Sequence, residues 1–207
     1  MSSTRDRILD AAREILEKHG DAAPSMSAIA RAAGISRQAL YLHFPDRAEL
    51  LLALVAHIDD REQLQAGLVA VQAAGDAAGQ VRAWVRMQAW RNPKIAALAR
   101  ALDSARHADP SASVAWRDRA GNRMRGALSI VQYLRREGRL HPTWTTDEAA
   151  ALLWELTSFH VWDDLVTEAH IAPGRYVEII TAAALSALGA PVAHHTNSPL
   201  TEGTPQP

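Results

Sequence analysis

Apolar residues recur every three or four positions along most of the chain. Nowhere do apolar and polar residues alternate as in a half-buried strand, so the pattern predicts an all-α fold. Residues 4–19 carry Ile8, Leu9, Ala12, Ile15 and Leu16 on one face of a first helix, which Gly20 ends before a short loop over residues 21–24. Ser25 can cap a second helix whose apolar side is Met26, Ile29, Ala30 and Ala33. Gly34 sits where that helix must turn left-handed, Ile35 reads as a buried plug, and Ser36 caps a third helix. The third helix has Ala39, Leu40 and Phe44 inward and Arg37, Gln38, Tyr41 and His43 outward, and Pro45 stops it. Asp46 and Glu49 make a capping-box-like start for a fourth helix with Leu50, Leu51, Leu54, Val55 and Ile58 on one face.

The same reading carries to the end of the chain. The fourth helix is expected to continue past Arg61 through Leu64, Leu68 and Val71, with a break at Gly75 and Gly79. Residues 77–91 place Val81, Trp84, Val85 and Gln88 on one side. Asn92-Pro93 reads as an N-cap and first-turn proline opening a separate helix to about His107, and Asp109-Pro110 repeats the signal for a long helix to about Glu137, capped by Gly138. Thr145 and Glu148 form a capping-box pair before a single helix that holds Ala150, Leu153, Trp154, Thr157, Ser158, Val161, Trp162 and Leu165. Pro173 starts the last helix, with Val177, Ile180, Thr181, Ala184, Leu185 and Leu188, and Gly189 closes it. Residues 190–207 contain four prolines and no periodicity, which predicts a disordered tail.

Composition narrows the function classes. With no cysteine among 207 residues, thiolate metal sites, disulfides and a cysteine nucleophile are excluded. No apolar run reaches the roughly 18 residues of a membrane span, and charges interrupt the N-terminal apolar pattern, so neither a membrane partner nor a signal peptide is expected and a cytoplasmic location is. Net charge is near zero, 22 basic against 23 acidic residues, which argues against non-specific nucleic-acid coating. Locally the balance differs: three arginines face one aspartate between Arg31 and Arg47, an excess that suits a small, specific contact with double-stranded DNA.

Residues 25–44 are a helix-turn-helix pattern, two short helices around a glycine turn with polar residues on the outer side of the second. The stretch resembles the tetracycline-repressor (TetR) family of transcriptional regulators. The resemblance rests on Ser25, Ile29-Ala30, Ala33-Gly34-Ile35-Ser36, Leu40-Tyr41-Leu42-His43-Phe44, and Arg47 before Glu49-Leu50-Leu51. It implies a DNA-binding domain over residues 1–47, an N-terminal three-helix bundle, followed by a larger helical ligand-binding and dimerisation domain over residues 48–189. It also implies a ligand-responsive regulator, more a repressor than an activator, that binds a near-palindromic operator as a homodimer and is released by a small apolar or aromatic ligand.

Arg37 and Gln38 lie at the end of the recognition helix that reaches base edges, where Arg pairs with guanine and Gln with adenine. Tyr41 and His43 resemble the family's phosphate contacts, Arg47 can pair with a phosphate, and Ser25 and Ser36 can cap and face phosphates together. All six tryptophans follow residue 80 and suit an effector cavity, for which Trp84, Met87, Gln88, Met124 and His160 are the candidates; plain core packing is the competing reading. The resemblance places a four-helix dimer bundle on the last two helices, through Trp154, Thr157, Ser158, Val161, Ile180, Thr181, Ala184 and Leu188; burial within one protomer competes with it. His160, Asp163, Asp164, Glu168 and His170 have metal-compatible spacing, but spacing without convergence predicts no metal, and no cofactor is expected. Two other functions compete: a DNA-binding regulator controlled without a small ligand, and an all-helical enzyme using His160 and nearby carboxylates, which leaves residues 25–44 unexplained.

Overall fold

The apolar face of the first helix, α1 (Thr4–His19), buries Ile8, Leu9, Ala12 and Leu16 against α2 (Met26–Ala32) and α4 (Arg47–Arg61). Ile29, Leu40, Phe44, Leu50, Leu51 and Leu54 complete this first core and are all fully buried. The computed structural model describes residues 3–19, 24–61 and 64–189. The predicted end of α1 at Gly20 and the tail over residues 190–207 lie outside them.

The turn between α2 and α3 (Arg37–His43) follows from one glycine. Gly34 has φ +67°, a conformation that costs a residue with a Cβ more than it costs glycine. It lets Gly34 N–H donate to Arg31 O and Ile35 N–H to Ala30 O at 3.0 Å, closing the last carbonyls of α2. Ser25 and Ser36 accept hydrogen bonds from Ala28 and Ala39 N–H, as expected of N-caps. Ile35 is half-buried, not the fully buried plug its neighbours suggest.

The remaining helices are α5 (Leu64–Gln72), α6 (Ala77–Ala105), α7 (Pro110–Arg136), α8 (Thr146–Leu156), α9 (Phe159–Trp162) and α10 (Pro173–Leu188), with a π-helical turn over Asp163–Glu168. Leu64, Leu68 and Val71 lie on α5, which packs on α6; the expected passage from α4 through residues 62–63 lies outside the described residues. No strand occurs among the described residues, only an isolated bridge between Leu140 and Gly189. No helix among them is long and apolar enough to cross a membrane.

Two predicted boundaries are corrected. Asn92-Pro93 opens no helix, because α6 runs through it for 29 residues. Pro93 removes one backbone hydrogen bond, a loss of about 3 kcal/mol in an isolated helix. Buried neighbours on both sides (Gln88, Ala89, Arg91, Asn92, Ile95) hold α6 against α5, α7 and α10 and outweigh it. The true N-cap is Asp76, whose side chain accepts from Gly79 N–H, so Gly79 lies in the first turn of α6 and not at a break.

Downstream, one predicted helix is broken between Thr157 and Ser158. Thr157 Oγ1 donates to Leu153 O at 2.8 Å and accepts from Trp84 Nε1 at 3.2 Å, and Ser158 becomes the N-cap of α9 by accepting from Val161 N–H. Hydroxyls that bond local backbone compete with helix continuation. The Thr145–Glu148 capping box stands as expected.

Tyr176 on α10 is completely buried, with the Trp162 ring edge-on at 4.9 Å. Its hydroxyl has no hydrogen-bond partner among the described residues, and burial raises its pKa. Removing an unpaired buried hydroxyl relieves a desolvation loss. Tyr176→Phe is therefore expected to hold or raise stability by up to about 1 kcal/mol, or about 2–4 °C in Tm for a chain of this size. Thermal unfolding checks this, and a clear loss of stability would show that the hydroxyl is bonded.

Candidate nucleic-acid interface and interior cavity

The outer side of α3 is built from positions 37, 38, 41 and 42. Leu40 and Phe44 anchor the inner side with no exposed surface. Arg37 and Gln38 are exposed in the first turn, and the Arg37 guanidinium donates to Tyr41 Oη at 3.3 Å while lying over the Tyr41 ring. Leu42, which the sequence reading passed over, is 83% exposed beside them. Its signal was its register, one position after Tyr41 on the same outward side. His43 is half-buried in the last turn.

Arg5 on α1 locks this helix from behind. It donates to His43 O at 3.0 Å and stacks over the Phe44 ring at 4.3 Å, a contact worth about 0.5–1 kcal/mol where exposed. Arg7 donates to Ala33 O at 3.3 Å. Two of the N-terminal arginines thus orient the unit.

Arg47 does not join the outer face. Its Nε donates to Pro24 O at 3.1 Å and its guanidinium pairs with Asp109, the N-cap of α7. Burial lowers its pKa. The expected phosphate contact gives way to an internal tie between α4 and α7. Further ties hold α4 elsewhere: His57 Nε2 meets Asp10 of α1 at 2.7 Å, and Asp59 takes a bidentate pair from Arg91 of α6 at 2.8 and 2.7 Å.

Beside Asp59, helices α4, α5, α6 and α7 enclose a cavity of about 270 Å³. Trp84, Met87 and Gln88, which share one face of α6, line it. Met124 and His160 do not. Met124 is half-buried elsewhere on α7, and His160 lies at the surface, its Nε2 at 2.8 Å from Asp103 Oδ2 and its ring tilted against Trp116. Gly126 permits the cavity's tightest contact, since a Cβ there would come within 2.6 Å of Trp84 Cζ3. A wider groove of about 510 Å³ near Gly67 and Trp90 is open to solvent.

The sequence reading missed the residues that most distinguish the cavity. Arg91, Arg119 and Arg123 line it and are buried, Arg119 to 5% and Arg123 to 9% exposure. Arg123 Nη1 donates to Thr157 O at 3.3 Å and its guanidinium lies over Trp154 at 4.5 Å. Arg119 rests beside the Trp116 ring at 5.8 Å, and its Nε and Nη2 have no hydrogen-bond partner among the described residues. Burial, then the charges of Arg91 and Arg123, lower the Arg119 pKa well below the ordinary value. Burial likewise lowers Arg123 to about 10 against the pull of Glu155, so it stays charged at neutral pH. The signal was there: Ala112, Ala115, Arg119, Arg123 and Ala127 follow one buried stripe of α7, with arginines where small residues belong.

The residues of this N-terminal unit match the family of bacterial regulatory proteins named for tetR, over residues 8–54. The N-terminal unit belongs to the tetR family. Among its relatives, the transcriptional repressor LfrR of Mycolicibacterium smegmatis is 37% identical over 83 residues, 40% of each chain. The transcriptional regulator SrpR of Pseudomonas putida is 43% identical over 53 residues, 26% of this chain and 25% of that one. The match therefore spans less than half the length of these curated relatives. The whole fold is shared more widely. A TetR family transcription regulator from Marinobacter aquaeolei VT8 superposes with a TM-score of 0.63 at 21% identity, covering 90% of this chain and 96% of that one.

The positions expected in a dimer bundle lie mostly inside the protomer. Thr157, Ser158, Ile180, Thr181, Ala184 and Leu188 are buried, with α10 packed on α6 and α8 on α7. Trp154 and Val161 are half-buried, and Trp154 Nε1 donates to Ala120 O at 3.2 Å. On α10, Arg175, Glu178, Ala182 and Ser186 are exposed, with Ile179 and Ala183 half-buried beside them. No cluster of three or more metal-ligating side chains occurs among the described residues.

Gly126→Ala and Gly121→Ala are expected to differ in sign. The first drives a methyl into the Trp84 ring and should cost about 1–3 kcal/mol. At Gly121 a Cβ meets only Arg125 Nη1 at 3.6 Å, so better helix propensity should stabilise by up to about 1 kcal/mol. Urea unfolding of both variants checks this, and equal effects would contradict the Trp84 contact.

Proposed function

We propose that the protein is a DNA-binding transcriptional repressor that acts as a homodimer on a near-palindromic operator and lets go when a small molecule fills the cavity between α4 and α7. The observation that carries this reading is the exposed side of α3, held at a fixed angle by Leu40, Phe44 and Arg5 within a unit of the tetR family. Arg37 and Gln38 read base edges, Leu42 packs against a thymine methyl, and Tyr41, His43, Ser25 and Ser36 meet phosphates. Arg47 is left out, because its guanidinium is committed to Asp109. Two copies would set their α3 helices about one DNA turn apart, roughly 34–36 Å. The outward side of α10, with its small Ala182, Ala183 and Ser186, is the face offered for pairing, in place of the buried positions.

Coupling runs through α4. Its N-terminal half packs against the DNA-binding core, while Asp59 near its other end is held by Arg91 at the cavity wall. An occupant that competes for Arg91 loosens α4 and favours the arrangement in which the two α3 helices no longer match the operator. The effect requires tighter binding of the ligand to that second arrangement.

Selection of bound sequences from random DNA tests this reading. The protein should recover a palindrome with half-sites about 10–10.5 base pairs apart, or a multiple. Arg37→Ala with Gln38→Ala should lose the preference while keeping the fold. A recovered sequence without symmetry, or unchanged selectivity in the double variant, would contradict it.

A further inference from the structure

The cavity's charge is unusual for an interior site. Three guanidinium groups, Arg91, Arg119 and Arg123, line the cavity, and Asp59 is the one carboxylate among the described residues of its wall. Arg91 satisfies Asp59 with two parallel hydrogen bonds, which leaves two cations over. Buried charge is disfavoured unless it is paired and hydrogen-bonded. Glu155 influences Arg123, and Asp59 and Asp103 influence Arg119, yet Nε and Nη2 of Arg119 and Nε of Arg123 reach no acceptor among the described residues. The rings of Trp116 and Trp154 lie 5.8 and 4.5 Å from the two guanidinium carbons. The rest of the wall is mixed: Leu64, Leu68 and Trp84 are apolar, and Gln88 and Asn122 are polar.

We propose that the cavity takes a small amphipathic organic acid, its carboxylate received by Arg119 and Arg123 and its apolar body lying against Trp84, Leu64 and Leu68. The proposal rests on the reading of the cavity as an effector site and narrows the effector to a class. It replaces the purely apolar or aromatic ligand that the tryptophans suggest, because only Trp84 of the six lines this cavity. A carboxylate accepts from a guanidinium fork through two oxygens, and both arginines line the cavity. A cation entering the same space meets the guanidinium charges of Arg119 and Arg123 in a poorly screened interior. At roughly 30 Å³ per water-sized group, about 270 Å³ holds an acid of modest size. A carboxylate at this place also neighbours Arg91 and competes with Asp59 for it, so recognition and release use the same residues.

The test uses the full chain and three matched probe pairs: octanoate and 3-phenylpropanoate, their methyl esters, and the corresponding amines octylamine and 3-phenylpropylamine. Calorimetric titration and operator gel shift are read on the same protein. The acids should bind and release the operator, with esters and amines at least tenfold weaker. Arg119→Met should keep or raise Tm, since it removes an unpaired buried charge, and should weaken octanoate at least tenfold. If esters or amines bind as well as the acids and release the operator, the cavity remains an effector site and the organic-acid class is overturned. If Arg119→Met is folded and binds octanoate like the parent, the anchoring role of Arg119 is overturned. If no probe binds while the operator is still bound, both the class and the effector reading fall.

Discussion

The bidentate pair between Asp59 and Arg91 is the constraint that connects the parts of this molecule. Asp59 stands one turn from the end of α4, the helix whose other end belongs to the DNA-binding core. Arg91 sits in the middle of α6, the longest helix, and faces the cavity. Two parallel charge-assisted hydrogen bonds fix orientation as well as distance. With Arg47–Asp109 at the start of α4 and His57–Asp10 between, α4 is held to α1, α6 and α7 by polar ties laid over its apolar stripe. On the proposed function, such a strut moves as a unit, and what frees one tie changes the pose of α3.

The arginines on α7 give that constraint its sense. A buried pair is strongly disrupted when one partner is lost or diverted, because the other charge is left in a poor solvent. Arg119 and Arg123 place that instability beside Asp59 and Arg91, in a cavity whose remaining wall mixes apolar side chains with Gln88 and Asn122. The tryptophans have a different job from the one their number suggests. Trp116 and Trp154 seat cations, Trp162 packs on Tyr176, and Trp84 alone both lines the cavity and reaches Thr157, where α8 breaks.

What was legible in the sequence was local. Ser25, Ser36 and Gly34 act within three or four residues of themselves, and the helix-turn-helix could be read down to its outward side chains, Leu42 excepted. The Thr145–Glu148 box is equally local. The failures were decided by distant partners. Asn92-Pro93 looks like a helix start, and the burial of Asn92 among helices from elsewhere keeps α6 intact. Arg47 looks free for phosphate, and its partner Asp109 lies 62 residues away. His160 shares a helical stretch with core residues, yet the break at Thr157–Ser158 resets the register and turns it to the surface. The same break and the packing of α10 on α6 bury the positions that an unbroken pattern offers to a second copy.

The central claim is that the Asp59–Arg91 pair transmits cavity occupancy to α3, and thermodynamic coupling measures it most directly. Operator affinity is determined with and without saturating octanoate, for the parent chain and for Asp59→Asn; the ratio of the two affinities is the coupling. In the parent the ratio should be at least about fivefold, the low end of allosteric couplings. In Asp59→Asn, which leaves Arg91 without its carboxylate, octanoate should still bind while the ratio falls toward one. Retention of the parent ratio in Asp59→Asn would contradict the account.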